Sequence, residues 1–541
     1  MSYSILHCTV IYTRWVSELK FGIDEDRFVT EIEHKRRGKP VIVQLCMKVE
    51  AEATPLDVYT GLSSHSSYLL ESVDKGGCHA RFSFVGYDPD VLITIKDRKI
   101  DLDSSEGGLG NWIKKNLQEI SRNGSILEGH DSMDALRAAF PTANGVDFVG
   151  ADLFDRQTFI GGAIGYLAYD IVYDCWLDPK RLSSDKKSSD IPDAQFALTS
   201  KTIVFDHETG CIYVVMTPFI TAEDDLREVY KASEKCAIEI ATRIKNSSDF
   251  CPSQSSTDAS ERGINGLKGN MEKEEYERIV KVGKEHIFDG DIFQVVLSRR
   301  YSGDIGLTPL DIYTRLREVN PSPYMYLFKF DDLGIIGASP ETLLTVHKRK
   351  VITNPIAGTC PRGKTEEEGE ELARAMLADE KERAEHIMLV DLGRNDVRMV
   401  SKPGTVKVED FMSVLKYSHV QHIESTVVGE LRDECDQFDA TRAIFPAGTL
   451  SGAPKIRAME IIDALEGDSR GIYGGGVGYY SWDGDADFAI VIRTVVTKGK
   501  VAYVQAGAGI VADSDPENEY FEAERKMAAM RKAIELAEVN R

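Results

Sequence analysis

The sequence has no apolar run that approaches the roughly 20 residues a helix needs to cross a bilayer. Its richest stretch, Phe488 to Val496, is interrupted by Arg493. Positive charge is in deficit: 65 Lys and Arg face 88 Asp and Glu, a formal balance of −23. That deficit argues against a nucleic-acid partner and against anionic membrane surfaces, since both demand a basic face. No basic segment followed by an apolar one opens the chain, because Arg14, Glu18 and Lys20 arrive early. Cysteine is sparse, with 9 residues scattered at positions 8, 46, 78, 175, 211, 236, 251, 360 and 435. None forms a C-x-x-C pair and the number is odd, so neither a disulfide framework nor a thiolate metal site has support. The expectation is a cytoplasmic protein with reduced thiols.

What is present reads as globular. The 541 residues are 42% hydrophobic and 9% aromatic, which excludes disorder as the main state and suits about two to four domains. The clearest change of composition lies at residues 246–270, where a Ser-rich polar run reads as a linker. The expected division is an N-terminal lobe over 1–245, this linker, and a second region over 271–541. Val41–Leu45, Arg81–Val85, Val91–Ile95 and Ile212–Met216 read as strands, and Glu223–Ile244 as an amphipathic helix. The second half alternates both periods, so the expected class is α+β. Gly161–Tyr166 and Gly474–Tyr479 echo one another, both carrying Gly-Gly-x-x-Gly-Tyr. Chance and common origin both remain open for so short a match.

Two segments offer carboxylates at helical spacing. Thr365 to Val390 reads as one helix with a capping Thr, acids in its first turn and Gly369 as a weak spot. On it Glu385 shares a side with Leu389 and Leu392, one turn after Glu382. The segment from Ser514-Asp515-Pro516-Glu517 starts a second helix, with Glu519, Glu522 and Lys526 in a column beside its apolar stripe. Together the acids could supply oxygen ligands to one Mg²⁺, which takes one or two carboxylates directly and keeps waters elsewhere. The bland alternatives are a Lys or Arg partner for Glu385 and a solvated i,i+4 Glu–Lys pair on the last helix.

Three loops suit an anionic substrate. Val504–Ile510 reads as a strand running into a glycine-containing turn, where backbone N–H groups can approach an anion. Asn354–Gly363 and Phe445–Lys455 each place a Thr after a Gly. Arg493, inside an otherwise apolar strand, is either a carboxylate clamp or a buried structural partner. His419 and His422 fall on opposite faces of a strand, which disfavours a two-His metal site and leaves a general base or a structural role.

These segments, in this order, resemble the chorismate-utilising enzymes, most closely the component I branch of the anthranilate synthases. The resemblance rests on Gly337-Ala338-Ser339-Pro340-Glu341, Pro355–Thr359, Asp379–His386, Leu392-Gly393-Arg394-Asn395-Asp396, Gly448–Lys455 and Gln505–Ile510. It spans Glu272 to Leu536 closely and Pro55 to Phe205 more loosely. It implies a large two-lobed fold of extended, mainly antiparallel sheets flanked by helices. Where the water-adding branch has an activating Lys, this chain has Gln294, and where the aminodeoxychorismate branch has a nucleophilic Lys it has Ala357. The implied reaction is chorismate plus ammonia giving anthranilate and pyruvate, a lyase reaction of tryptophan biosynthesis.

By the same resemblance Glu385 and Glu522 hold Mg²⁺, supported by Glu382 and Glu519. Tyr473, Arg493, Lys526 and the amides of Ala506, Gly507, Ala508 and Gly509 grip a carboxylate. Gln294, Gly358, Thr359 and Thr449 line the substrate, Glu341 protonates the departing hydroxyl and His422 assists pyruvate loss. A tryptophan feedback site is implied at Glu71, Ser72, Asn320, Pro321, Ser322, Pro323, Tyr324, Met325 and Gly337. No cysteine has the Gly-x-Cys-x-Gly setting of a glutamine amidotransferase nucleophile, so a separate amidotransferase subunit is expected to supply ammonia from glutamine in a hetero-oligomer. The competing readings are an aminodeoxychorismate or 2-amino-2-deoxyisochorismate synthase, or a silent chorismate- or tryptophan-binding regulator.

Overall fold

A computed structural model describes residues 19–72, 81–104, 107–182, 189–247, 266–416 and 420–539. The α+β expectation holds. Two large sheets, of 13 and 12 strands, share an aromatic core that includes Tyr68, Phe159, Tyr166, Tyr326, Phe328 and Tyr479. Helices cover the outer faces: Phe28, Tyr230, Leu316 and Met527 lie against the 12-stranded sheet, and Phe140, Val397 and Phe438 against the other. Burying each such ring or branched chain is worth about 1.5–3 kcal/mol, and this sets the helix–sheet–sheet–helix layering.

Most expected elements appear with shifted ends. The first strand expectation divides between Val41–Val43 in a small third sheet and Leu45–Val49 in a large one. The helix expected from Glu223 runs Leu226–Lys245, because the Asp225 side chain accepts the amides of Arg227 and Glu228 and so caps it. The polar linker lies mostly outside the described residues. Strands from either side of it share both large sheets, each half forming one contiguous block that meets the other at a single seam.

The two blocks have the same internal order. From the centre of the 12-stranded sheet outwards, the C-terminal side runs Tyr324–Phe330, Leu333–Ser339, Thr494–Lys498, Val501–Ile510 and Gln294–Asp304. The N-terminal side runs Ser66–Glu71, Phe82–Tyr87, Lys201–Asp206, Cys211–Met216 and Leu45–Val49. The two lists take strands in the same sequence order, so the halves repeat one topology about a local two-fold axis. In the 13-stranded sheet the axis passes between Gly162–Leu167 and Gly476–Ser481, antiparallel neighbours in which Gly165 faces Gly478. The six-residue echo is therefore the seam of a duplication. A stronger signal lay in plain view: Thr-Pro-Leu-Asp-x-Tyr-Thr-x-Leu occurs at Thr54–Leu62 and again at Thr308–Leu316. Both copies start a helix with Thr and Asp in a reciprocal capping box.

Candidate active site

Glu341 sits where the chain leaves one sheet, after Leu333–Ser339, and enters the other at Thr342–His347. Its carboxylate accepts the Thr449 hydroxyl at 2.7 Å. Both line a pocket with Thr353, Leu389 and Leu392. Desolvation pushes the Glu341 carboxyl up to about 7, although the Thr449 hydrogen bond and the charges of Lys526 and Arg493 pull it down and Glu424 adds to the rise. A carboxyl in this range still carries its proton for much of the time at neutral pH, which an acid catalyst requires.

His422 lies on the strand Val420–Glu430, beside Ile356–Pro361. Its Nδ1 is 2.9 Å from the Gly358 carbonyl oxygen and 3.1 Å from the Thr359 hydroxyl. Burial lowers its pKa, the Gly358 bond opposes this, and the Arg493 charge lowers it further. The neutral ring, with its proton held at Nδ1 by a carbonyl, keeps Nε2 basic. Gly358 takes φ +65° at an irregularity between Ala357 and Cys360, a conformation glycine adopts without strain. His419 lies outside the described residues.

The single helix expected from Thr365 is two, Glu366–Ala378 and Glu380–Val400. Asp379 ends the first and caps the second, accepting the amides of Lys381 and Glu382. Glu382 and Glu385 thus stand near a fresh helix start. Gln294 Nε2 donates to Glu385 at 3.4 Å, and Gln294 Oε1 is buried with no donor among the described residues. Glu382, Glu385 and Glu519 all have raised pKa values, first through desolvation and then through like charges that include Glu522. The last helix, Pro516–Val539, starts behind Asp515, which accepts the amide of Asn518. On it Glu522 is paired with Lys526 at 2.7 Å, the arrangement the bland reading anticipated. Among the described residues no group of three or more His, Cys, Asp and Glu stands close enough to hold a metal. The acids from the two helices feel one another without being drawn together.

Two expectations about the anion-holding end are corrected. Gln505–Ile510 is not a turn: Val501–Ile510 is strand throughout, paired along its length with Gln294–Asp304. Its glycines serve close approach, since a Cβ on Gly507 would stand 2.4 Å from the Leu297 carbonyl oxygen. Facing it, Val296, Ser298 and Arg300 send their amides instead to Ser451, Glu466 and Asn270. By antiparallel alternation the Gly507 and Gly509 amides point to the other edge, beyond the reach of Thr494–Lys498, whose pairing stops at Val504. Ala506 and Ala508 spend theirs in the ladder, so with Gly507 three of the four expected anion donors are engaged. The Gly507 amide meets the Tyr473 hydroxyl, whose own pKa burial raises, and the Gly507 carbonyl accepts Lys526 at 3.0 Å.

Arg493 is likewise not inside a strand. It occupies the bend between Ala486–Ile490 of one sheet and Thr494–Lys498 of the other, at φ +50°. A chain that changes sheets must turn, and the turn puts the guanidinium within electrostatic reach of Glu341 and His422.

The residues of the expected feedback site gather at the two-fold seam. Glu71 lies opposite Met325, buried, and accepts Tyr313 at 2.6 Å and Arg317 at 3.2 Å. Ser72 follows the end of the Glu71 strand. Asn320 ends the helix Pro309–Val319 and leads through Pro321, Ser322 and Pro323 into the central strand; the Ser322 hydroxyl donates to the Asn320 carbonyl at 3.3 Å. Tyr324 donates to Asp487 at 3.1 Å and lies 3.0 Å from the Thr342 hydroxyl, next to Glu341. Gly337 leaves space that the Tyr326 ring fills. Tyr313 and Arg317, four apart on one helix face, escaped the sequence reading although their spacing was visible.

Residues 144–532 match the family described as chorismate binding enzyme. The chain is 47% identical over 517 residues to anthranilate synthase component 1 of Haloferax volcanii, covering 92% of this chain and 94% of that one. It is 46% identical over 545 residues to the Haloarcula marismortui protein called anthranilate synthase component 1 2, covering 96% of each. Among solved structures, anthranilate synthase component I from Streptococcus pneumoniae TIGR4 aligns with a TM-score of 0.67 at 35% identity, over 84% of this chain and 93% of that one.

Proposed function

The chain belongs to the chorismate binding enzymes, and on that premise we propose that it converts chorismate and ammonia to anthranilate, pyruvate and water, as the large subunit of an anthranilate synthase. The observation that carries this reading is Glu341: a carboxyl poised near neutrality, held by Thr449 in a pocket, with the Arg493 charge acting on both it and a neutral His422. Ammonia attacks C2 of the ring; Glu341 gives its proton to the departing C4 hydroxyl, which leaves as water. The new C2 ammonium returns a proton to Glu341; His422 Nε2 then takes the C2 proton as the C3–O bond breaks and the ring becomes aromatic, and the released enolpyruvate takes up a proton at its methylene carbon to become pyruvate.

Arg493, Lys526, the outward amide of Gly509 and Tyr473, whose hydroxyl the Gly507 amide holds, supply the carboxylate grip, while Gly358, Thr359 and Thr449 border the ring. The unpaired Gln294 Oε1 suits an N–H donor such as ammonia, and an amide side chain cannot activate water. Glu385 and Glu522, with Glu382 and Glu519 beside them, would hold Mg²⁺. Burial first and like charges second raise the pKa values of Glu382, Glu385 and Glu519, which fits a bound cation offsetting both, and the metal would orient the substrate and neutralise its charge. Glutamine-derived ammonia comes from a separate component 2 subunit in the cytoplasm. Tryptophan binds at the seam near Glu71, Ser72 and Asn320–Met325, with Gly337 behind it, and inhibits.

The test is an assay of the chain alone with chorismate, Mg²⁺ and an ammonium salt. Fluorescent anthranilate and equimolar pyruvate are expected. An aminated product that retains the enolpyruvyl group, or no turnover, refutes the proposal.

A further inference from the structure

The helix Lys455–Leu465 ends at Glu466, and Arg470 follows four residues later in the connecting loop. The two side chains form a bidentate pair at 2.9 and 2.7 Å, and neither is more than 4% exposed. A buried ion pair is a poor source of stability, because the charges surrender as much hydration as they regain in attraction. What this pair does with its remaining hydrogen bonds is specific. Arg470 Nη1 donates to the Leu450 carbonyl at 2.7 Å, and Nη2 to the Val296 carbonyl at 2.7 Å. Glu466 accepts the Ser298 amide at 2.7 Å and its hydroxyl at 2.9 Å, and that hydroxyl accepts Gln505 at 2.9 Å. The guanidinium also stands 4.6 Å from the Tyr169 ring centroid and 5.7 Å from that of Tyr473.

Leu450 closes the 3₁₀ turn Gly448–Leu450 that carries Thr449. No side chain caps its N-terminal end among the described residues; beside the Val296 amide bond to Ser451, the Arg470 bond to its last carbonyl is the side-chain tie between the turn and the strand Gln294–Asp304. The geometry points to the Glu466–Arg470 pair as a positioning element that fixes the Gly448–Leu450 turn and thereby sets the Thr449 hydroxyl on Glu341. This rests on the proposed reaction. Arg470 does not touch substrate in this account; it acts through Thr449. A lysine at 470 keeps the charge but cannot serve Glu466, Leu450 and Val296 from one rigid fork.

The test is a double-mutant cycle in the ammonium-driven assay. Arg470→Lys is expected to lower kcat by about 10–100-fold, the scale of a misplaced catalytic contact. In a Thr449→Val background, where the hydroxyl is already gone, the same change is expected to lower kcat by less than about 3-fold. Arg81→Lys, at a partly exposed pair with Asp206 in the N-terminal half, controls for the general effect of replacing a paired arginine far from Thr449 and is expected to leave kcat within about 2-fold. If Arg470→Lys does not accumulate as folded protein, the isosteric Glu466→Gln carries the same expectation. Equal kcat losses in both backgrounds, or a loss matched by Arg81→Lys, overturn the inference while the wild type still makes anthranilate. A wild type that makes none overturns the reaction and the inference together.

Discussion

Removing one hydroxyl tests the acid directly. Thr449→Val keeps the volume of the side chain and deletes the 2.7 Å hydrogen bond to Glu341. That bond favours the ionised carboxylate, and hydrogen bonds to charged groups are worth about 1.5–3 kcal/mol. At about 1.36 kcal/mol per tenfold change in proton affinity, complete loss amounts to one or two pH units, and partial replacement by water leaves about one. Glu341 must hold its proton to act, so wild-type kcat falls as pH rises through about 7. In Thr449→Val that alkaline limb moves to higher pH by about one unit, while the plateau drops because the acid is no longer aimed. The measurement is kcat against pH at saturating chorismate and ammonium, with free ammonia held constant. An alkaline limb that stays in place or moves down refutes the assignment of Glu341 as the acid under Thr449 control.

Glu341→Gln should abolish turnover and stabilise the fold at alkaline pH. The native carboxyl binds its proton more tightly than the unfolded one, so stability is lost as pH rises from 4.5 through about 7 and is absent above it. Denaturant titrations at pH 5 and pH 8 should show a variant advantage only at pH 8, of at most about 3 kcal/mol. Glu522→Gln should eliminate Mg²⁺-dependent turnover, and titrating the metal against activity checks it; retained activity removes Glu522 from the ligand set. Ser72→Ala should turn over chorismate with little response to tryptophan, whereas an unaltered inhibition curve rules out its feedback role. Gly507→Ala should lower the midpoint of thermal unfolding, because its Cβ meets backbone at 2.4 Å; the expected cost is about 1–3 kcal/mol, as for other overpacked sites.

Residue types and spacing exposed much of this site and hid its geometry in particular ways. Glu341, Thr449, His422 and Thr359 were assigned through the resemblance to the family, since by residue type alone the Gly-Thr loops and His422 had ordinary structural readings. Gln505–Ile510 misled because glycine reads as a turn former, whereas here small residues let two backbones close in. Asp379 misled in the opposite sense: within a helical pattern it looks like one more surface acid, yet its side chain is a cap that starts a second helix. Arg493 was placed in an apolar run whose two ends belong to different sheets, and no local pattern reports a change of sheet. The Glu466–Arg470 pair gave no signal, since i,i+4 opposite charges usually mark a solvated helix face and only burial gives them another meaning.

The duplication bears on how the protein is made. The first half to leave the ribosome carries Ser66–Glu71 and Gly162–Leu167, whose natural neighbours, Tyr324–Phe330 and Gly476–Ser481, come from the second. Until then the nascent chain displays two unfilled hydrogen-bonding margins, and a second nascent copy offers its own strands at the same positions. Synthesis on crowded polysomes therefore sets correct closure within one molecule against exchange between molecules, and slowing the translation of the later half favours exchange.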